Sequence, residues 1–150
     1  MTDEMYYADQ WLCRMWDVDK EIEQLEFRRE KIISSLSGIG KYDSKSVIGG
    51  SDPNPTESKN IEYSLLSEKI DKLQAKISSE NIRTIDAISK VTDSKLRGML
   101  YGHYINRLSW KKVGEKYYYG KSRSFDYRGM CLKAVCQYVP KEVVIQYETN

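Results

Sequence analysis

One histidine, three prolines and three cysteines are all that the 150-residue chain has of these types, and each scarcity excludes something. The cysteines, Cys13, Cys131 and Cys136, are odd in number and form no C-x-x-C pair, so neither a zinc site nor a disulfide framework is written here. They read as small packing residues of a reduced, cytoplasmic protein, with Cys131 and Cys136 pointing in different directions from one helix. His103 stands outside any recognisable nucleophile or acid–base motif and reads as a helix-packing histidine. No run of about 18 apolar residues occurs, so a membrane-spanning helix is not expected. The opening MTDEMYYADQ is acidic and lacks the basic and apolar blocks of a signal peptide. GIGKYDSKS has glycine and lysine without the spacing of a phosphate-binding loop. With no metal cluster, cofactor fingerprint or nucleophile–base pair, the expectation is a non-enzymatic protein without a cofactor.

What the chain does have is helical periodicity. Between Ala8 and Leu36 apolar residues fall at Ala8, Trp11, Met15, Val18, Ile22, Leu25, Ile32 and Leu36, in alternating steps of three and four, with Arg29 interrupting. That is a heptad seam, and it predicts one long helix packed along its length. Residues 37–56, SGIGKYDSKSVIGGSDPNPT, replace the periodicity with glycine, serine and proline and predict a flexible loop. A second long helix is expected from about Glu57, capped by Thr56, with its seam on Tyr63, Leu66, Ile70, Leu73 and Ile77. The seam then changes phase near Asn81 to Ile82, Ile85 and Ile88, as in a stutter. Two such helices fold back into an antiparallel, coiled-coil-like hairpin whose seams close within one chain or between two. A two-helix hairpin buries few side chains alone, which favours a homodimer held by Trp11, Met15, Val18, Ile22, Leu25, Ile70, Leu73 and Ile77.

The region 92–140 changes character. Asp93 or Thr92 caps a helix with Leu96, Met99, Leu100, His103 and Tyr104 on one face. Ser109 caps a second, WKKVGEKYYY, ending near Gly120. A third runs from about Ser122 through Val139 and is stopped by Pro140. Three short helices with a tight turn between the last two form a helix-turn-helix pattern. Gly114 supplies the small residue that lets the last helix cross closely, with Val113 and Tyr117 as apolar anchors. Lys121, Ser122, Arg123, Phe125, Asp126 and Arg128 would face the major groove, and Lys111, Lys112 and Lys116 would hold phosphates. Tyr117, Tyr118 and Tyr119 have two readings: a base-stacking platform, or one core residue and two that wall the turn.

Charge supports the pattern. The chain's net +2 conceals ten basic and three acidic residues between Asp93 and Val139, a net +7, against −4 over residues 1–37. Clustered positive charge on a small helical unit is the footprint of phosphate binding. A bundle whose basic face serves only solubility, or meets an acidic protein, has the same footprint. The expected fold class is therefore all-α, with residues 1–91 forming the helical hairpin and 92–140 the helix-turn-helix domain. The tail, 141–150, alternates apolar and polar residues and has no assigned role.

The stretch DAISKVTDSKLRGMLYGHYINRLSWKKVGEKYYYGKSRSFDYRGMCLKAV, with Tyr104-Ile105 ahead of Ser109-Trp110 and Ala134-Val135 near its end, resembles the ArpU/RinA-like phage transcriptional regulators. Their C-terminal domain looks like region 4 of sigma factors. The upstream order, a long helix, the loop containing KSVIGGSDPNPTES and a second long helix, is similar too. The chain departs from the family at the turn, where Tyr118 stands in the place usually held by glycine and Gly120 lies close by. The resemblance implies sequence-specific binding of double-stranded DNA, activation of phage genes in the cytoplasm of a bacterial host, and contact with host RNA polymerase. An alternative of another class is a phage-encoded inhibitor or derepressor. Its acidic N-terminal helix would occupy the basic surface of a host nucleoprotein, as an anti-CRISPR-type protein does, or engage a repressor.

Overall fold

The computed structural model describes residues 1–39, 55–117 and 126–141, with side chains through Leu36 in the first segment, and among these it is all-helical with no strand. The helices are α1 (Asp3–Leu12), α2 (Trp16–Ile39), α3 (Pro55–Ser89), α4 (Ser94–Leu100), α5 (Trp110–Tyr117) and α6 (Tyr127–Val135). A π-helical turn, Tyr101–Ile105, continues α4, and a 3-10 turn, Cys136–Tyr138, continues α6. Two compact units result. One combines Met1–Met15 with the chain from Ser79 onward, and the other is Trp16–Ser78. Residues 1–15 and 79–91, grouped by sequence with the hairpin, thus belong with α4–α6. Of the loop expected over 37–56, residues 37–39 and 55–56 are helical and 40–54 lie outside the described residues. Pro55 opens α3 at the helix position proline tolerates best.

The first expected helix is interrupted. Residues 13–15 form a turn between α1 and α2, with no glycine or proline to cause it. Arg14 supplies the reason. Its Nη1 donates to the Trp11 carbonyl at 2.7 Å and to Thr84 Oγ1 at 2.9 Å, and Nη2 donates to the Glu80 carbonyl and to Glu80 Oε2 at 2.8 and 2.9 Å. The guanidinium also lies over the Trp11 ring, 3.7 Å from its centroid. A side chain that takes up a last-turn carbonyl ends a helix as a backbone cap does.

The same cluster removes the expected stutter in α3. Heptad steps from Tyr63 lead to Ile70, Ile77, Thr84 and Val91, and from Leu66 to Leu73, Glu80 and Ala87. Thr84, Ala87 and Val91 are buried, and of the three isoleucines of the expected shifted seam Ile88 is buried too, whereas Ile82 and Ile85 are 69% and 42% exposed. The inward face therefore keeps its phase, and Glu80 and Thr84 sit on it as polar residues because they receive Arg14.

In the unit containing α4–α6, Trp11, Ile88, Met99, Leu100, Val113, Cys131, Leu132 and Val135 are buried almost completely. Side-chain caps start its helices: Thr2 for α1, Asp93 for α4, Ser109 for α5 and Asp126 for α6. Helix α4 ends by widening: the Asn106 amide donates to the Tyr101 carbonyl, Arg107 takes a left-handed φ of 62°, and the Leu108 amide reaches back to the Gly102 carbonyl. In the unit Trp16–Ser78, contacts join later residues of α2 to earlier residues of α3. Ser35 meets Lys59, Arg28 meets Glu62 at 2.7 and 2.9 Å, and Arg29 lies near Ser67 and the Tyr63 ring. Ile22, Ile32 and Ile70 are buried there, and Val18, Leu25, Leu66, Leu73 and Ile77 are half-buried.

Candidate nucleic-acid interface

The sequence of α5, WKKVGEKY, divides cleanly between two faces. Val113 and Gly114 are buried and Trp110 and Tyr117 half-buried, while Lys111, Lys112, Glu115 and Lys116 are exposed. The three ammonium groups meet no carboxylate among the described residues. Position 114 must be small, because a Cβ there would collide with Cε2 of Tyr127, whose ring packs from α6. Gly98 plays the matching part in α4, where a Cβ would collide with the Tyr117 hydroxyl. Close approach at these two glycines fixes α5 between α4 and α6 and turns its lysines outward.

Behind α5 lies an aromatic and polar cluster. Trp110 stacks on His103 with centroids 4.0 Å apart and meets the edge of Tyr104. His103 Nδ1 lies 2.7 Å from the Leu108 carbonyl, to which it donates. Burial lowers the pKa of this imidazole from its ordinary value, against the opposing pull of that carbonyl, so the neutral ring is favoured. Tyr104 is buried, and its hydroxyl donates to Asp9 Oδ1 at 2.5 Å. Burial first, and then the Asp9 bond, hold the phenol far above its usual pKa. Burial also pushes the Cys131 thiol up to about 12, which suits a packing residue and not a nucleophile. Cys13 and Cys136 are only half-buried. A cavity of about 160 Å³ opens among Gly98, Tyr101, Asn106, Leu108 and Lys116 and gathers no acid–base pair. Among the described residues no group of three His, Cys, Asp or Glu is placed to hold a metal ion, and no helix is long and apolar enough to cross a membrane.

The structure distributes the sequence-based candidates unevenly. Lys111, Lys112 and Lys116 share the exposed face of α5. Lys121, Ser122, Arg123 and Phe125 lie outside the described residues, as do Tyr118 and Tyr119. Asp126, expected to face a groove, is exposed and caps α6 by accepting the Gly129 amide at 2.8 Å, and α6 is described from Tyr127 rather than from Ser122. Arg128 is half-exposed and bonded through Nη2 to Asp9 Oδ2 at 2.8 Å. Of the dimerisation set, Trp11 is 1% exposed in the core of the α4–α6 unit, so its indole cannot also form a seam between copies. Met15 lies in the turn after α1 and is half-buried. Ile22 and Ile70 are buried in the unit Trp16–Ser78, and Val18, Leu25, Leu73 and Ile77 are half-buried there.

Sequence reasoning passes over Asp9 and Arg14. A signal for Arg14 is present, since Glu80 and Thr84 occupy heptad positions where apolar residues belong. Asp9 leaves no such signal: an acidic residue beside Ala8 on an amphipathic helix reads as solvated surface. No protein-family model matches the chain, and no curated protein or solved structure shows significant similarity to it.

Proposed function

We propose that the chain is a double-stranded DNA-binding transcriptional regulator in which α5 and α6 act as a helix-turn-helix and α2 with α3 forms a hairpin that pairs with a second copy. The carrying observation is the lysine face of α5, whose three ammonium groups have no carboxylate partner among the described residues while Gly114 seats Tyr127 of the next helix. Lysines that meet no carboxylate among the described residues, on a helix locked from behind, suit phosphate contacts that fix orientation on a duplex. The segment just before α6 carries Lys121, Arg123 and Phe125 and would supply base contacts. The resemblance to ArpU/RinA-like regulators agrees with this reading and extends it to phage promoters and host RNA polymerase. The exposed carboxylates of α2, Asp17, Glu21, Glu23, Glu26 and Glu30, favour as a second reading an inhibitor that covers a basic host surface.

The test replaces Lys111, Lys112 and Lys116 together by glutamine and measures binding to a mixed-sequence duplex at two salt concentrations. Each phosphate that the protein ceases to neutralise reduces the salt slope by about one, so the triple variant is expected to lose up to about three. An unchanged affinity and slope would remove α5 from the interface. Absence of any duplex binding by the parent chain would favour the inhibitor.

A further inference from the structure

Arg128, in the first turn of α6, is joined to a residue 119 positions away. Its Nη2 donates to Oδ2 of Asp9 at 2.8 Å, and the other Asp9 oxygen accepts the Tyr104 hydroxyl. Asp9 is therefore fixed on both sides, on a helix anchored by buried Ala8 and Trp11, with its side chain only 13% exposed. Arg128 differs from it, keeping 44% of its side chain in solvent. A guanidinium has five N–H donors in a planar fork, and Asp9 takes one nitrogen. Among the described residues Nε and Nη1 make no hydrogen bond.

From this arrangement we infer that Asp9 is a positioning residue for nucleic-acid binding, holding one nitrogen of Arg128 so that the remaining donors are presented to a phosphate or a guanine edge. The inference rests on the DNA-binding reading and adds α1, 119 residues away in sequence, to the recognition apparatus. A long side chain loses rotamer freedom when it grips a phosphate, and anchoring it beforehand removes part of that cost. The opposite role, in which Asp9 competes with phosphate for Arg128, would be served best by a bidentate pair that closes the fork. The observed bond engages a single nitrogen. Tyr104 provides the second support, because its hydroxyl stops the carboxylate from rotating toward the exposed side of Arg128.

The two roles differ in sign. Asp9→Asn removes a negative charge close to the proposed interface, so electrostatics alone would tighten DNA binding and steepen its salt dependence. Positioning requires the reverse. With the full chain and a fluorescent mixed-sequence duplex of about 30 base pairs at about 50 mM salt, Asp9→Asn is expected to weaken binding about 5- to 10-fold. Arg128→Gln should weaken it comparably. In the Arg128→Gln background Asp9→Asn should then change affinity less than about twofold, with the melting temperatures of all three variants staying near the parent's, since a purely structural pair would give the same non-additivity together with a shared loss of stability. Arg128→Lys leaves Asp9 in place and tests the fork independently of the folding of the Asp9 variant. It is expected to behave as Arg128→Gln does, since one ammonium cannot serve both partners in that geometry. Tyr104→Phe leaves the ion pair but frees the Asp9 carboxylate to rotate, and should weaken binding in the same direction as Asp9→Asn by a smaller factor, about twofold. Tighter or unchanged binding by Asp9→Asn, or parental binding by Arg128→Lys, overturns the positioning role and leaves the DNA-binding reading standing. A parent chain that binds no duplex overturns both.

Discussion

The unit built around α4–α6 and the unit Trp16–Ser78 use similar amounts of amphipathic helix with different results. In the first, short helices converge from several directions, and Trp11, Met99, Leu100, Leu132 and Val135 are almost wholly removed from water. In the second, two helices share one seam, and only Ile22, Ile32 and Ile70 are buried among its described residues, while Leu25, Leu66 and Leu73 remain half-exposed. Two cylinders touch along a line and cannot enclose an interior, so apolar residues flanking that line stay accessible until a third surface covers them. If the chain pairs with a second copy, as proposed, the unit Trp16–Ser78 has apolar surface left for it and the core of the unit around α4–α6 has far less. Its burial also moves Trp11 from the second unit to the first.

The largest expected effect tests that reassignment. Trp11→Ala removes an indole packed under Arg14 and should cost about 3–5 kcal/mol. Thermal denaturation should show this loss equally at every protein concentration, because the cavity lies inside one chain. A loss that shrinks as concentration rises would return Trp11 to an interface between copies and erase the contrast between the units.

An intermediate effect is expected in the open seam. Leu66→Gln and Leu73→Gln each remove a half-buried side chain and should cost about 1 kcal/mol within a chain. Their main consequence is in assembly. If the hairpin pairs with a second copy, the double variant sediments as a monomer and its melting temperature ceases to depend on concentration. Unchanged sedimentation would mean that the half-exposed leucines are simply surface.

Why some of this is legible in the sequence follows from the kind of signal each feature leaves. The caps at Asp93 and Ser109 and the inward set of Val113, Gly114 and Tyr117 are local, since an oxygen two or three residues before an amide, or spacing on one helix, determines them. The break after α1 is not local. It depends on Arg14 reaching Glu80 and Thr84 some 66 and 70 residues away, so a periodic apolar run reads through it as one helix. The same long-range cluster makes two polar heptad positions look like a phase shift, because isoleucines at 82 and 85 offer a more apolar register. For the candidate interface, the exposed lysines of α5 follow from amphipathicity alone. The partner of Arg128 cannot be found that way, since Asp9 and Arg128 each look like ordinary surface charges until the fold brings them together.

The smallest expected effect separates a partly buried ion pair from an exposed one, again one in each unit. Glu80 accepts a hydrogen bond from Arg14, which holds its carboxyl below the usual carboxylate range; burial opposes this, and the charges of Arg14 and Arg83 assist. A carboxyl whose folded-state pKa is depressed adds stability above its unfolded value of about 4.3 and loses it as the pH falls through the folded value. Glu80→Gln should therefore melt below the parent at neutral pH, and the two curves should converge on acidification below about pH 4.3. Curves that stay parallel would show that the Arg14 cluster acts through packing and neutral hydrogen bonds alone. Glu62, lowered in the same direction by Arg28, provides the control from the other unit. Both members of that pair stand in solvent, with side chains 55% and 39% exposed. Solvent screening and the entropy of ordering two long side chains cancel most of such a pair. Glu62→Gln should leave the melting curve and its acid limb unmoved at moderate salt, because water already does for Glu62 what Arg14 must do for Glu80.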